Sequence, residues 1–352
     1  MNNRILFLDD MRVIACFMVI MVHACEFFYA FGIQSPSDAF WVDLIDGAFR
    51  CSVPLFVMIS AYLLVPVRGS ASEFLRKRLT RVVVPFVVWS VLYATLPYLW
   101  GAMTGDEVAA SLRRLTYNFN DACGHLWYVY MFVGIYLFMP VISPWLKQAG
   151  KRAEQGFLLL WFLSTCFPYL RFFAGDGVYG ECLWNEYHTL WYFSGHIGYV
   201  VLAHYIRVHL DWSDRKSLVL GSVLFLGGYL VTSGFWYAQY DPASVEQNLA
   251  NLELSWRFCT PNVAVMSFGA FIVIKKLFSA RKRENSLIRK ISAVSYGVYL
   301  MHIFILGGVY NLCAGHFSTP VTILIVGSST FVLTTLLAAL LARLPFGKYI
   351  VG

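Results

Sequence analysis

Charge is scarce in this sequence of 352 residues. Only 13% of it is Asp, Glu, Lys or Arg, against 59% hydrophobic residues and a mean hydropathy of +0.61. That balance excludes a soluble globular domain. Cysteine is present, with eight residues, but no CxxC pair and no His-rich spacing accompanies it. Packing is therefore expected of the cysteines, not metal or redox chemistry. Cys123 and Cys182, in expected outer connections, are the two positioned to form a disulfide, and the sequence leaves their pairing open. Low-complexity tracts and internal repeats are lacking. No cleavable signal is expected either, because the first apolar segment is too long, holds Arg12 and lacks a small-residue cleavage site. Beyond the last apolar segment only residues 343–352 follow. Whatever chemistry the chain performs is thus expected to use the membrane segments themselves.

What is there is a series of apolar runs, each near the roughly 20 residues that a helix needs to cross a hydrocarbon core about 30 Å thick. They fall at about 5–29, 46–66, 82–103, 126–146, 156–174, 188–206, 217–239, 257–278, 291–312 and 320–342. The expectation is an all-α integral membrane protein, a bundle of about ten transmembrane helices forming one domain over 1–352. Lys and Arg concentrate in cytoplasmic loops, so their distribution sets the orientation. With both termini cytoplasmic, Arg12 lies within a segment and Arg50, Arg113, Arg114, Arg171 and Arg257 fall outside, leaving 21 of the 27 basic residues inside. The net charge of +7 is then a topology signal, and no nucleic-acid partner is expected. Three longer outer connections, at about 105–124, 175–187 and 240–255, are mixed polar and aromatic; they either roof an outward pocket or are ordinary surface loops. Asp121, Glu181 and Glu186 are the acids there that could meet sugar hydroxyls.

Ionisable residues inside such runs are costly and mark functional sites by default. Arg12 and His23 stand eleven residues apart in the first run. At about 100° per residue they fall within about 20° of one line, about 16 Å apart along the axis. One stripe thus carries a permanent cation in the inner half and a titratable imidazole in the outer half. Arg12 has a structural alternative, pairing with Asp9 three residues earlier. Glu26, three residues beyond His23, can accept an imidazole N–H and hold the tautomer that leaves the other nitrogen as a base. Arg78 and Arg81, spaced i and i+3 in the run Arg76-Lys77-Arg78-Leu79-Thr80-Arg81, share a face suited to gripping phosphate oxygens; the alternative is topology and contact with anionic lipid. A second cluster, Lys275, Lys276, Arg281, Lys282 and Arg283, lacks that pattern and is read as topological.

His125 and Trp127 open the fourth run, where Trp is expected as an interfacial anchor and His125 could face His23 across an outer pocket. His302 lies near mid-membrane and either packs or lines a donor channel. Pro54, within Ser52 to Leu63, is expected to kink the second helix.

Taken together, these segments resemble the acyltransferase 3 family of integral membrane acyltransferases. The resemblance covers nearly the whole chain. It is carried by Arg12-x10-His23, Ser-Val-Pro-Leu-Phe-x-Met-Ile-Ser at 52–60, Arg78-x-x-Arg81, His125-Leu-Trp127 and the Tyr-Gly-x-Tyr-x-x-His stretch ending at His302. Val13 and Ala61 stand where the family often has glycine. The resemblance implies an enzyme of the bacterial inner membrane that moves an acyl group, acetyl by preference, from cytoplasmic acetyl-CoA to a hydroxyl of a surface glycan or its lipid-linked precursor, without a metal. Arg12, Arg78, Arg81 and His302 would meet the donor, His23 with Glu26 would act as general base, and His125 and Trp127 would meet the acceptor. Direct transfer and an acyl-histidine intermediate both stay open. The rival readings are a transporter or flippase for a glycolipid or small anion, and a non-catalytic sensor or scaffold. Inverted repeats with paired broken helices would favour transport, and none is seen.

Overall fold

The first helix, α1 (Leu6–Ala30), contains neither glycine nor proline over 25 residues and packs against five other helices. In a computed structural model that describes residues 4–30, 35–119, 121–242, 249–281 and 283–352, it is the central element of an α-helical bundle. Residues 243–248 of the third outer connection, Lys282 and the side chain of Asp121 lie outside what is described. The helices that follow are α2 (Pro36–Phe49), α3 (Ser52–Leu64), α4 (Ala71–Thr95), α5 (Gly105–Arg114), α6 (Trp127–Gln148), α7 (Lys151–Thr165) and α8 (Phe167–Ala174). Then come α9 (Ile197–Val208), α10 (Asp214–Gln239), α11 (Leu249–Leu252), α12 (Pro261–Ser279), α13 (Ser286–Cys313), α14 (Thr319–Leu341) and α15 (Gly347–Ile350). No strand occurs among the described residues, as expected where the bilayer leaves backbone groups no water to bond.

Nine helices or joined helices among the described residues are long and apolar enough to cross a membrane, so the chain is a multi-pass membrane protein. They match nine of the ten expected spans. The tenth, expected at 188–206, is realised only as α9, whose 12 residues reach about 18 Å. The preceding stretch breaks off because His188 and Gly195 take positive φ, at 40° and 77°, and Trp191–Phe193 forms a 3-10 turn. A second correction concerns the span expected at 46–66. It runs from Pro36 to Leu64 and is interrupted at Arg50 and Cys51, not at Pro54. Pro54 sits in the first turn of α3, where its missing N–H costs nothing. Arg50 is consequently part of a buried helix junction, not of an outer loop.

Helix starts follow the local chemistry. Ser35 accepts the Asp38 amide at the start of α2, with Pro36 next to it; Ser70 accepts from Glu73 at α4; Asn285 accepts from Leu287 and Ile288 at α13. The last carbonyls of α3 are covered from another helix, since Arg207 of α9 donates to Tyr62 O (2.5 Å) and Val65 O.

Helices α10 and α12 approach each other backbone to backbone. A Cβ added at Gly228 would stand 2.5 Å from Asn262 O, and one at Gly269 would stand 2.5 Å from Gly221 O and Phe225 N. Small residues at such crossings replace the hydrophobic effect, absent between helices in lipid, with dense backbone packing. Behind the main bundle, the α15 turn is tied to α4 by Trp89 Nε1–H donating to Ile350 O (2.8 Å), and Val351 fills the space left by Gly297 of α13.

Candidate functional site

Because α1 is surrounded, its polar stripe faces the interior. It forms one wall of a cavity of about 680 Å³ that is closed by α3, α4, α6 and α13. Arg12, His23, Glu26, Arg78, Arg81, His125 and Trp127 all line this cavity. His302 does not.

The end at Arg12 is basic. Arg12 Nη1 donates to Ser292 Oγ (3.0 Å), Ser292 donates to Asp9 Oδ1 (2.7 Å), and Arg12 Nη1 lies 3.6 Å from that same carboxylate oxygen. Asp9 is also taken by Arg4, whose Nε donates to Oδ2 at 2.6 Å. The Asp9 pairing foreseen as a structural alternative therefore exists, but one carboxylate is shared by two guanidinium groups. Arg12 has five N–H donors and commits only Nη1 to these contacts. Arg78 and Arg81 make no ion pair among the described residues, and Arg78 Nε is buried without a hydrogen-bond partner. Tyr136 of α6 lines the cavity with all three of these cations. Three guanidinium groups against one shared carboxylate, with a buried donor unsatisfied, form a site of positive charge suited to an anion.

The opposite end is built from imidazoles. His23 and the Glu26 carboxylate meet at 2.6 Å through Nδ1 and Oε2. The carboxylate accepts the Nδ1 proton, which leaves the lone pair on Nε2 of a ring only 14% exposed. His125 faces His23 with ring centroids 6.2 Å apart, and its Nε2 is buried without a partner. The backbone at His125 is held by Tyr299, whose hydroxyl donates to the His125 carbonyl at 2.5 Å. His302 is fully buried, 4.9 Å from His23 and 5.2 Å from His125 by ring centroids. Its Nδ1–H donates to Tyr299 O (2.5 Å), so its Nε2 carries a lone pair, which has no partner. It stands behind His23, away from the cavity lining.

Between the two ends lies an aromatic and hydroxylated waist. Tyr128, Phe132 and Tyr136 are spaced four residues apart along α6, with successive ring centroids at 5.2 and 4.7 Å, and Tyr299 meets Tyr128 at 5.4 Å. Trp127 presents its ring near the His23 end, stacked on Phe258 at 5.6 Å.

One part of the wall was not foreseen. Arg50, at the α2–α3 junction, lines the cavity, donates through Nε and Nη2 (2.6 Å) to both oxygens of Asp46, and lies 4.2 Å over the Trp256 ring. Asp46 is completely buried. The i, i+4 spacing of Asp46 and Arg50, beside Pro54 in an apolar stretch, was the available signal. The charge bias of the loops competes with that signal, because it places Arg50 in an outer loop.

Of the outer-loop acids, Glu181 is held by Arg171 and Glu186 is exposed. No disulfide joins Cys123, which is buried, to Cys182, which is exposed. No group of His, Cys, Asp or Glu among the described residues is arranged to hold a metal ion.

The site thus joins a guanidinium-lined end to an imidazole-lined end, about 16 Å apart along α1. Comparison with known proteins agrees with a group-transfer chemistry. Residues 5–342 match the model of the family described as "Acyltransferase domain". A Bacillus subtilis protein, provisionally named membrane-bound acyltransferase YfiQ, is 23% identical over 309 residues, covering 83% of this chain and 78% of its own length. No solved structure matches this chain.

Proposed function

The chain belongs to the acyltransferase 3 family of membrane acyltransferases, and on that premise we propose that it is an O-acetyltransferase. The donor is acetyl-CoA, entering from the cytoplasm, and the acceptor is a hydroxyl of a cell-envelope polysaccharide or its lipid-linked precursor. We favour an amino-sugar-containing glycan such as the enterobacterial common antigen, and the inner membrane as the location. The observation that carries this reading is that Arg12, Arg78 and Arg81 share one cavity with His23 and Glu26.

In this reading the three arginines hold donor phosphates, and the pantetheine arm extends past Tyr136, Phe132 and Tyr128 toward His23. Trp127 offers a ring face to the acceptor sugar, and His125 offers its unpartnered Nε2 to a hydroxyl. His23 Nε2 removes the proton of the attacking hydroxyl as its oxygen bonds to the thioester carbonyl carbon. Collapse of the tetrahedral adduct breaks the C–S bond, and the proton on His23 passes to the departing thiolate. Glu26 keeps the imidazole oriented and stabilises its protonated form. The products are the acetyl ester and free CoA.

The test is reconstitution of the purified protein in liposomes with radiolabelled acetyl-CoA supplied at the Arg78–Arg81 face, comparing wild type with His23→Ala. Release of label from CoA by wild type alone supports the reading. No release and no saturable CoA binding by folded protein sinks it and favours transport.

A further inference from the structure

Arg81 belongs to two cavities. Besides the one already described, a second of about 630 Å³ is lined by Arg76, Lys77, Thr80 and Arg81 of α4 and by Lys348 and Tyr349 of α15. Helix geometry explains the sharing. With Arg76 set at 0°, Thr80 falls at about 40°, Lys77 at about 100°, Arg81 at about 140°, Arg78 at about 200° and Val82 at about 240°. The first three face the second cavity, the last two face the first, and Arg81 lies on the seam.

The floor of the second cavity is a built surface. The α15 turn is fixed to α4 by the Trp89–Ile350 hydrogen bond, Val351 is seated on Gly297, and Gly352 lies against Tyr296, which itself lines the first cavity. Four basic side chains face one acid, Glu73, and none of the four makes an ion pair among the described residues. Lys348 lies 4.8 Å over the ring of Tyr349, an aromatic face beside the cations.

We propose that this second cavity binds the adenosine 3′-phosphate end of a CoA-type donor. Arg76, Lys77 and Lys348 take the ribose 3′-phosphate, Tyr349 offers a face to the base, and Arg81 with Arg78 holds the pyrophosphate where the arm turns into the first cavity. The inference rests on the acyl-CoA reading above. A membrane phospholipid headgroup shares the phosphate chemistry, but a single diester does not call for four cations and an aromatic face. Nor does it use the seam with the first cavity.

The experiment measures dissociation constants of CoA and of dephospho-CoA, which lacks only the ribose 3′-phosphate. It uses the full chain in nanodiscs of zwitterionic lipid, with and without added anionic lipid, for wild type and for Arg76→Ala/Lys77→Ala/Lys348→Ala. Wild type is expected to bind CoA about tenfold more tightly, the value of one charge-assisted contact. The triple variant is expected to bind the two within about twofold of each other, with its affinity for dephospho-CoA unchanged. Should the triple variant bind neither, Lys348→Gln carries the test by the same ratio. A preference that survives in the variants overturns the proposal, as does a variant that loses only its response to anionic lipid, which would identify a headgroup site. Wild type that binds both ligands equally removes the subsite alone. Wild type that binds neither removes the donor reading and the subsite together.

Discussion

His302 packs against the back of His23, ring centroid to ring centroid at 4.9 Å, and is itself fixed by its hydrogen bond to the Tyr299 carbonyl. Packing and lining a donor channel are both compatible with the sequence around His302, and these outcomes separate in kinetics. Replacing it with alanine removes the wall behind His23, which the proposed mechanism needs held in place. His302→Ala is expected to lower kcat about 10²-fold, the typical cost of a misplacement near 1 Å, with the dissociation constant for CoA within about twofold of wild type. Weakened CoA binding with an unchanged kcat would instead make His302 a donor contact.

His23 and the Arg78–Arg81 pair act at opposite ends of one cavity, and their loss should differ in kind. His23→Ala is expected to reduce transfer by about 10²-fold or more while leaving CoA affinity nearly intact. Arg78→Ala with Arg81→Ala is expected to weaken CoA binding by about 10²-fold, from two charge-assisted contacts. Titration of each variant with CoA, beside single-turnover transfer, reads both quantities. Equal loss of both in every variant would mean a folding defect.

The Arg50–Asp46 pair is buried, and breaking it leaves an uncompensated charge. Asp46→Ala is expected to destabilise the protein by about 3–5 kcal/mol, whereas Asp46→Leu combined with Arg50→Met should recover most of that stability. Thermal unfolding in detergent measures both. If Asp46→Ala unfolds like wild type, the pair is not the anchor of the α2–α3 junction.

The α10–α12 crossing tolerates no side chain at Gly269, where a Cβ would collide with backbone and not with a movable side chain. Gly269→Val is expected to cost at least about 1–3 kcal/mol and to lower the yield of folded protein. Gly227→Ala, with nothing near the added Cβ, is the matched control and should be close to neutral. Size-exclusion profiles and thermal unfolding of the two variants distinguish these outcomes.

Much of this architecture was legible because the bilayer is a severe solvent: length and apolarity alone announce a spanning helix, and nine spans were found that way. The same severity made the α1 stripe visible, since Arg12, His23 and Glu26 have no reason to lie in lipid unless they face an interior. What escaped had a competing local signal. The aromatic run around Trp191 was apolar enough to resemble the start of a span, but positive φ at His188 and Gly195 folds it into a turn before α9. Arg50 reads as a loop cation because the ring that covers it is remote: Asp46 is one turn away, but Trp256 is about two hundred positions distant in the chain. The second cavity could not be foreseen at all, because its floor is the α15 turn and nothing in the sequence of α4 says which face that turn will cover.

The three guanidinium groups at the basic end of the first cavity have an electrostatic consequence that does not depend on any substrate. A protein that hollows out its own transmembrane interior invites protons and sodium ions to run down their gradients. Fixed positive charge at the entrance repels such cations, as an arginine does in water-selective pores. Tyr128, Phe132 and Tyr136 line the same cavity with aromatic rings. Arg12, Arg78 and Arg81 therefore set a positive potential at that end of the cavity, which disfavours small cations whatever else the cavity admits.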